Sequence, residues 1–229
     1  MNEQTLRKIL DSPPRPVTDR LQSAAVALTK TYRSRWTFEF EGRQYQYFYH
    51  PYNLAWRNER AVEVPIAMGF LEAHDGESVL EIGNVLPHYF ETDHDVVDKY
   101  EIAPGVTNVD AVEFDSGKKY DLIICISTLE HIGWDETPRD PARPQAALEN
   151  LRRLLAPGGE LVITVPVGLN PAVDRLLSGP DNPFGRTMAL KRARWTNMWK
   201  QVPVAEAWGT PYSRLSFRAG AVIVGSLEQ

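Results

Sequence analysis

At 229 residues the chain has room for one large α/β domain with a continuous core. Hydrophobic residues at 43% and charged residues at 24% exclude a fibrous or wholly disordered chain. Twenty-five basic against 30 acidic residues give a formal charge of −5, and no dense Lys/Arg stripe is present, which argues against nucleic acid as a partner.

The N-terminal Met1 to Leu10 is polar and lacks the apolar core of a signal peptide, and no run is long enough to span a bilayer. A cytoplasmic protein without a membrane partner is the expectation. Cys125 is the only cysteine, so an intrachain disulfide or a thiolate zinc site is excluded, and its apolar surroundings predict a buried, inert thiol.

Thr5–Leu10 and Asp19–Lys30 read as two short helices separated by Ser12, Pro13, Pro14 and Pro16. Trp36, Phe38 and Phe40 alternate with polar residues, Glu41-Gly42-Arg43 supplies a turn, and Tyr45 and Tyr47 alternate again, which predicts a β-hairpin. An aromatic stretch follows from Phe48 to Trp56. It reads either as a satellite core docking the N-terminal segment or as a substrate pocket wall with His50, Tyr52, Asn53, Trp56 and Arg57. A helix is predicted from about Asn58 to Ala73 on the spacing of Val62, Ile66 and Phe70.

From Ser78 the pattern changes to short apolar runs separated by helices, the mark of a parallel sheet with crossover connections. Strands are predicted at Ser78–Ile82, Asp95–Asp98, Val106–Val109, Tyr120–Ile126 and Glu160–Pro166. Asp140-Pro141 reads as the cap and first residue of a helix carrying Leu148, Leu151 and Leu155 on one face, stopped by Ala156-Pro157-Gly158-Gly159. Gly168 to Lys200 reads as loop and helix, and Val202–Trp208 with Ala219–Val224 as a closing antiparallel pair. Lys191, Arg192 and Arg194 beside Trp195 could bind an anion but are read as a solvated surface loop. The fold class is a Rossmann-like, doubly wound, mostly parallel sheet of about seven strands, the last antiparallel. Residues 1–74 form an N-terminal cap and substrate-side segment, and 75–229 the core, as one compact unit.

In an open α/β sheet the ligand lies outside the carboxyl ends of the strands. That rule selects Glu81, Gly83 and Asn84 after the first strand, Asp98 and Glu101 after the second, Asp110 and Ala111 after the third, and Ser127 to His131 after the fourth. Four segments, Val79-Leu80-Glu81-Ile82-Gly83, Tyr120-Asp121-Leu122-Ile123-Ile124, Leu129-Glu130-His131 and Leu154-Leu155-Ala156-Pro157-Gly158-Gly159, together resemble the successive motifs of class I S-adenosylmethionine-dependent methyltransferases. The resemblance covers Glu77 to Pro166.

It implies S-adenosyl-L-methionine as cofactor and a small-molecule methyl acceptor taking a methyl group on O or N, a sugar or natural-product intermediate being one such class. Gly83 would let the backbone approach the methionine part of the cofactor. Asp98, with Glu101 as alternate, would accept from the ribose hydroxyls, Asp110 and the Ala111 amide would read adenine, and Ser127 would offer its main-chain carbonyl to the amino group. Glu81 and Asn84 complete the cofactor-binding set. His131 would be the catalytic contact, as a base or as a structural hydrogen-bonding group. Glu130 is read as structural or solvent-facing, and His88 and His50 are weaker candidates.

The first loop, Gly83-Asn84-Val85-Leu86-Pro87-His88, lacks the family's two further glycines, and Asn84 is expected to rescue the turn through the left-handed region. This departure supports an alternative, a non-catalytic methyltransferase-like binding module that has lost its cofactor. A nicotinamide oxidoreductase is disfavoured because the three-glycine fingerprint is absent. Glu91-Thr92-Asp93-His94-Asp95 precedes a strand at its amino end, so no metal site is expected there.

Overall fold

A computed structural model describes residues 16–33, 35–193 and 197–229. The predicted helix Thr5–Leu10, with Ser12 to Pro14, and Arg194 and Trp195 of the basic stretch lie outside these residues. In chain order the elements are α1 (Pro16–Arg33), β1 (Thr37–Phe40), β2 (Arg43–Gln46), α2 (Arg60–Ala73), β3 (Val79–Ile82), β4 (Asp95–Val97), β5 (Val106–Thr107) and β6 (Tyr120–Ile126). They continue with α3 (Arg143–Leu154), β7 (Leu155–Pro166), α4 (Pro171–Ser178), β8 (Arg186–Arg192), β9 (Trp199–Val202), α5 (Val204–Ala207) and β10 (Ala221–Glu228).

β1 and β2 form the predicted hairpin, and the other eight strands form one sheet in the order β5-β4-β3-β6-β7-β10-β8-β9. The five strands β3 to β7 are mutually parallel, while β10 lies antiparallel between β7 and β8. The sheet is therefore Rossmann-like as predicted, with eight strands rather than seven. The order reverses between β3 and β6, whose onward connections run to opposite sides of the sheet and leave a crevice at the carboxyl ends.

Three predictions are corrected. The segment Gly168–Lys200, read as loop and helix, contains strands β8 and β9, whose Arg186, Lys191, Arg192 and Lys200 mask their apolar residues. The segment Val202–Trp208 does not pair with Ala219–Val224, because its middle is the short helix α5, and β10 pairs instead with β7 and β8. Asp140-Pro141 does not start α3. Asp140 Oδ1 accepts from the amide of Ala142 in a local turn, and the helix begins at Arg143 with Pro144 in its first turn.

Alternation along the buried strands builds a three-layer sandwich. Ile123, Cys125, Ile163 and Val165 face one core with Leu148, Leu151 and Leu154 of α3 and Val173 and Leu177 of α4. Leu122, Ile124, Ile126 and Val162 face the other, against Val62 and Ile66 of α2 and Phe38, Phe40 and Tyr47 of the hairpin. Each fully buried Leu or Ile contributes about 1.5–3 kcal/mol. The hairpin covers the β9 edge, where the Trp199 amide donates to Tyr47 Oη at 2.7 Å and the Glu41 amide to Gln201 Oε1 at 2.8 Å. Cys125 is buried, which pushes its thiol pKa up. No helix of the described residues is long and apolar enough to cross a membrane.

Candidate active site

A cavity of about 670 Å³ opens at the carboxyl ends of β3, β4, β5 and β6. Gly83, Asn84, Asp98, Glu101, Asp110, Ala111, Ser127 and His131, scattered over 49 positions of sequence, all line it. Tyr52 and Arg60 reach it from the N-terminal segment.

Gly83 has φ +88°, and a Cβ placed there would meet Thr128 Oγ1 at 2.1 Å. Glycine is thus demanded by the crossing of the β3 and β6 loops inside the protein itself. The rest of the loop is held by Glu81. Glu81 is fully buried, its Oε1 accepts from the amides of Val85 and Leu86 at 2.9 and 2.8 Å, and its Oε2 lies 2.8 Å from His94 Nε2. It does not line the cavity, so its expected cofactor role is corrected to a brace beneath the loop. Asn84 is corrected too. It does not adopt the left-handed region, where Gly83 stands instead. Its Nδ2 donates to Glu101 Oε1 at 2.9 Å, and its buried Oδ1 has no partner. Pro87 sits in the first turn of the short 3-10 helix Leu86–His88, as expected.

Asp98 follows β4. Its Oδ1 accepts from the amides of Tyr100 and Glu101, both at 2.8 Å, and its Oδ2 from the amide of Asn84 at 3.2 Å. These bonds aim the carboxylate at the crevice and leave lone pairs for further donors. Asp110 is more heavily engaged. Its Oδ2 accepts from Lys99 Nζ at 2.8 Å and Arg143 Nη2 at 2.5 Å, and its Oδ1 from the Val112 amide at 3.0 Å. Burial alone would raise the Asp110 pKa, but the hydrogen bonds from Lys99, Val112 and Arg143 outweigh it and hold the group below the usual carboxylate range. Glu136 closes the cluster, 2.5 Å from Lys99. Lys99, Arg143 and Glu136 escaped the sequence reading because their partners are distant in sequence.

Ser127 has φ 40°, an uncommon left-handed position for a non-glycine residue, at the tip of β6. Its Oγ donates to Glu63 Oε1 at 2.5 Å, and Thr164 Oγ1 donates to the same oxygen at 2.9 Å. Glu63 Oε2 takes Arg60 Nη1 at 3.0 Å, and Arg60 also donates to the Ile126 carbonyl at 3.2 Å. The first turn of α2 is therefore a buried polar plug against β6 and β7.

His131 sits in the 3-10 helix Leu129–His131, and its Nδ1 lies 2.6 Å from Asp135 Oδ2. A carboxylate at that distance accepts from Nδ1–H and places the lone pair on Nε2. Asp135 was not foreseen, although the four-residue spacing was there to read. Glu130, expected to be structural or solvent-facing, is 1% exposed; neither of its carboxylate oxygens has a hydrogen-bond partner, and Oε1 lies 3.7 Å from His131 Nε2. Burial pushes its pKa up to about 8, so the side chain is neutral at physiological pH.

Of the five residues expected on the substrate wall, His50, Tyr52, Asn53, Trp56 and Arg57, Tyr52 alone lines the cavity. The chain turns sharply at Asn53 and Leu54, with φ 49° and 53°, which separates its neighbours. His50 stacks on Phe48 and meets Tyr89 edge-on, while Arg57 lies 5.7 Å over the Trp56 ring, away from the cavity lining. Tyr52 stacks on His88 at 4.2 Å, and His88 Nε2 is 2.8 Å from Glu101.

Residues 93–161, from just before β4 into β7, match a family described as a methyltransferase domain, which bears out the resemblance and takes in three of its four motifs. No curated protein matches the chain. Among solved structures the chain is similar to the N-methyltransferase NodS from Bradyrhizobium japonicum WM9 in complex with S-adenosyl-L-homocysteine. That likeness has 15% identity, covers 75% of this chain and 87% of that one, and has a TM-score of 0.47. It is also similar to the SAM-bound amino pentose methyltransferase CalS10 from Micromonospora echinaspora, at 22% identity over 44% of this chain and 48% of that one, with a TM-score of 0.32. A third is the sugar N-methyltransferase KedS8 from Streptoalloteichus sp. ATCC 53650, at 18% identity over 57% and 54% of the chains, with a TM-score of 0.34.

Proposed function

We propose that this chain, whose residues 93–161 match a methyltransferase domain, transfers a methyl group from S-adenosyl-L-methionine to an O or N atom of a small molecule. The observation that carries the reading is the convergence of Gly83, Asp98, Asp110, Ser127 and His131 on one cavity at the point where the strand order reverses. A volume of about 670 Å³ suits a cofactor-sized ligand.

The residues fit such a nucleoside. Asp98, with Glu101 beside it, would take the ribose hydroxyls, Asp110 and the Ala111 amide would face adenine, and Gly83, Asn84 and the Ser127 carbonyl would hold the amino-acid end. The buried, unpartnered Asn84 Oδ1 is an acceptor suited to a donor from that end. When bound, the sulfonium supplies an activated methyl group. The chain's own part is to position the acceptor and move its proton. Asp135 fixes the His131 tautomer, and Nε2 takes the proton from the attacking hydroxyl or amine. Tyr52 marks the side from which the acceptor enters, with His50, Trp56 and Arg57 behind it.

One observation favours the second reading, a binding module without cofactor: Lys99 and Arg143 both hold the Asp110 carboxylate. Calorimetric titration with S-adenosylhomocysteine separates the two. Saturable binding at one site per chain, weakened about 10–100-fold in Asp98→Ala, is the expected result, and no binding by the parent protein overturns the proposal.

A further inference from the structure

Three arginines meet farther along the same carboxyl edge of the sheet. Arg192 ends β8, and its amide donates to the Gly220 carbonyl at 2.9 Å, next to the start of β10. Arg218 lies two residues before Gly220. Arg57 comes from the N-terminal segment, close to Glu59, whose Oε2 accepts from the Ala219 amide at 2.9 Å. Because β10 is antiparallel to both β7 and β8, the start of β10 and the end of β8 lie where β6 and β7 end. Glu59 adjoins Arg60, which lines the cavity, so the cluster borders the candidate site.

Among the described residues none of the three guanidiniums makes an ion pair or a side-chain hydrogen bond. The Nε–H groups of Arg57 and Arg218 are buried and have no acceptor. Burial, and then the charge of Arg218, push both Arg57 and Arg192 below the usual guanidinium range, so each of the two feels the Arg218 charge. Glu59 is the carboxylate that opposes them, and burial together with Glu63 raises it to about 7. Glu63 is already matched by Arg60. Three positive charges against at most one negative charge leave an excess of two, with buried donors unsatisfied. Such an arrangement is costly unless an anion completes it.

Resting on the methyl-transfer reading, we infer that Arg57, Arg192 and Arg218 form an oxyanion subsite that anchors a phosphoryl group on the methyl acceptor. The charge excess matches a dianion, and planar guanidinium forks pair with phosphate oxygens in bidentate fashion. The basic run at Lys191-Arg192, taken from sequence as a solvated loop, thereby gains a role: Arg192 is half-buried at the end of β8.

The test is calorimetric titration of the full chain with inorganic phosphate and with pyrophosphate, at constant ionic strength, with acetate as the monoanionic control. Saturable phosphate binding at one site per chain is expected, weakened at least tenfold in Arg192→Gln/Arg218→Gln, with S-adenosylhomocysteine affinity unchanged within twofold. Arg57→Gln serves as a second variant, and each is scored only at a parental melting temperature. Absence of phosphate binding by the parent, equal binding by folded variants, or acetate binding as tight as phosphate overturns the subsite. Phosphate binding that survives when S-adenosylhomocysteine fails to bind supports the oxyanion site and overturns the methyl-transfer reading alone.

Discussion

Glu63 and Ser127, 64 residues apart in sequence, share a buried 2.5 Å hydrogen bond at the tip of β6. The same Glu63 carboxylate takes Thr164 of β7 and Arg60 of its own helix, so the first turn of α2 fixes the backbone of the loop that carries the Ser127 carbonyl and leads to His131. The strained φ of Ser127 is held by this bond and by the bond from its amide to the Thr164 carbonyl at 2.9 Å. The geometry of the proposed site is thus set partly by residues that precede the parallel strands.

Gly83→Ala is expected to destabilise the fold by at least about 2 kcal/mol, since it adds both a left-handed alanine and a collision with Thr128. Thr128→Ala in the same chain should recover the collision component and leave the backbone component. Chemical denaturation of the two variants measures the split. A single variant as stable as the parent would contradict the loop geometry.

Asp98→Ala should weaken S-adenosylhomocysteine binding by about 10–100-fold, the loss of a charged acceptor for ribose hydroxyls. Three amides lose their acceptor as well, so some loss of melting temperature accompanies it. Asp98→Asn, which keeps one carbonyl acceptor, should bind between the two.

His131→Ala should lower turnover about 10²–10⁴-fold with an identified acceptor, and Asp135→Asn by a smaller factor, as the imidazole loses its fixed tautomer. The assay is release of demethylated cofactor across a pH series. Turnover by His131→Ala should follow a different pH course from the parent's. Identical pH profiles for parent and variant would remove His131 from proton transfer.

Glu130 gives a pH-dependent stability whose sign is fixed. Its folded pKa, raised to about 8 from an ordinary value near 4.5, means that the native state binds more protons than the unfolded chain between those values. Stability therefore falls as pH rises through that window, with a limiting slope of about 1.4 kcal/mol per unit. Glu130→Gln should flatten this contribution and raise the melting temperature at pH 8 relative to the parent. An unchanged slope in the variant would show the carboxyl to be ionised in the fold across that window. Glu59, raised to about 7, adds a parallel slope below neutrality.

The parallel core was legible because β3, β6 and β7 are buried on both faces and read as unbroken apolar runs, and loops at their ends carry small or acidic residues. β8 and β9 were not, since Arg186, Lys191, Arg192 and Lys200 give an edge pair the composition of a loop. The partner of β10 was misjudged for a different reason: strand pairing is long-range, and the apolar run at Val202 was nearer in sequence than β7. At the site, Gly83, Asp98, Asp110, Ser127 and His131 were found by position at strand ends. Glu81 stood at a strand end too, but its side chain turns into the core to serve amides of its own loop. Which way a carboxylate turns depends on donors the linear sequence does not align, and the same blindness hid Lys99 and Arg143, whereas Asp135 stood in readable four-residue spacing from His131.

Insertion of β10 between β7 and β8 has a consequence for synthesis. The strand at 221–228 is the late-made wedge that joins two halves of the sheet, and β8 with β9 has no strand contact to β7 without it. A nascent chain halted before this stretch leaves the edges of β7 and β8 bare, so the emerging protein must shelter them until β10 is made.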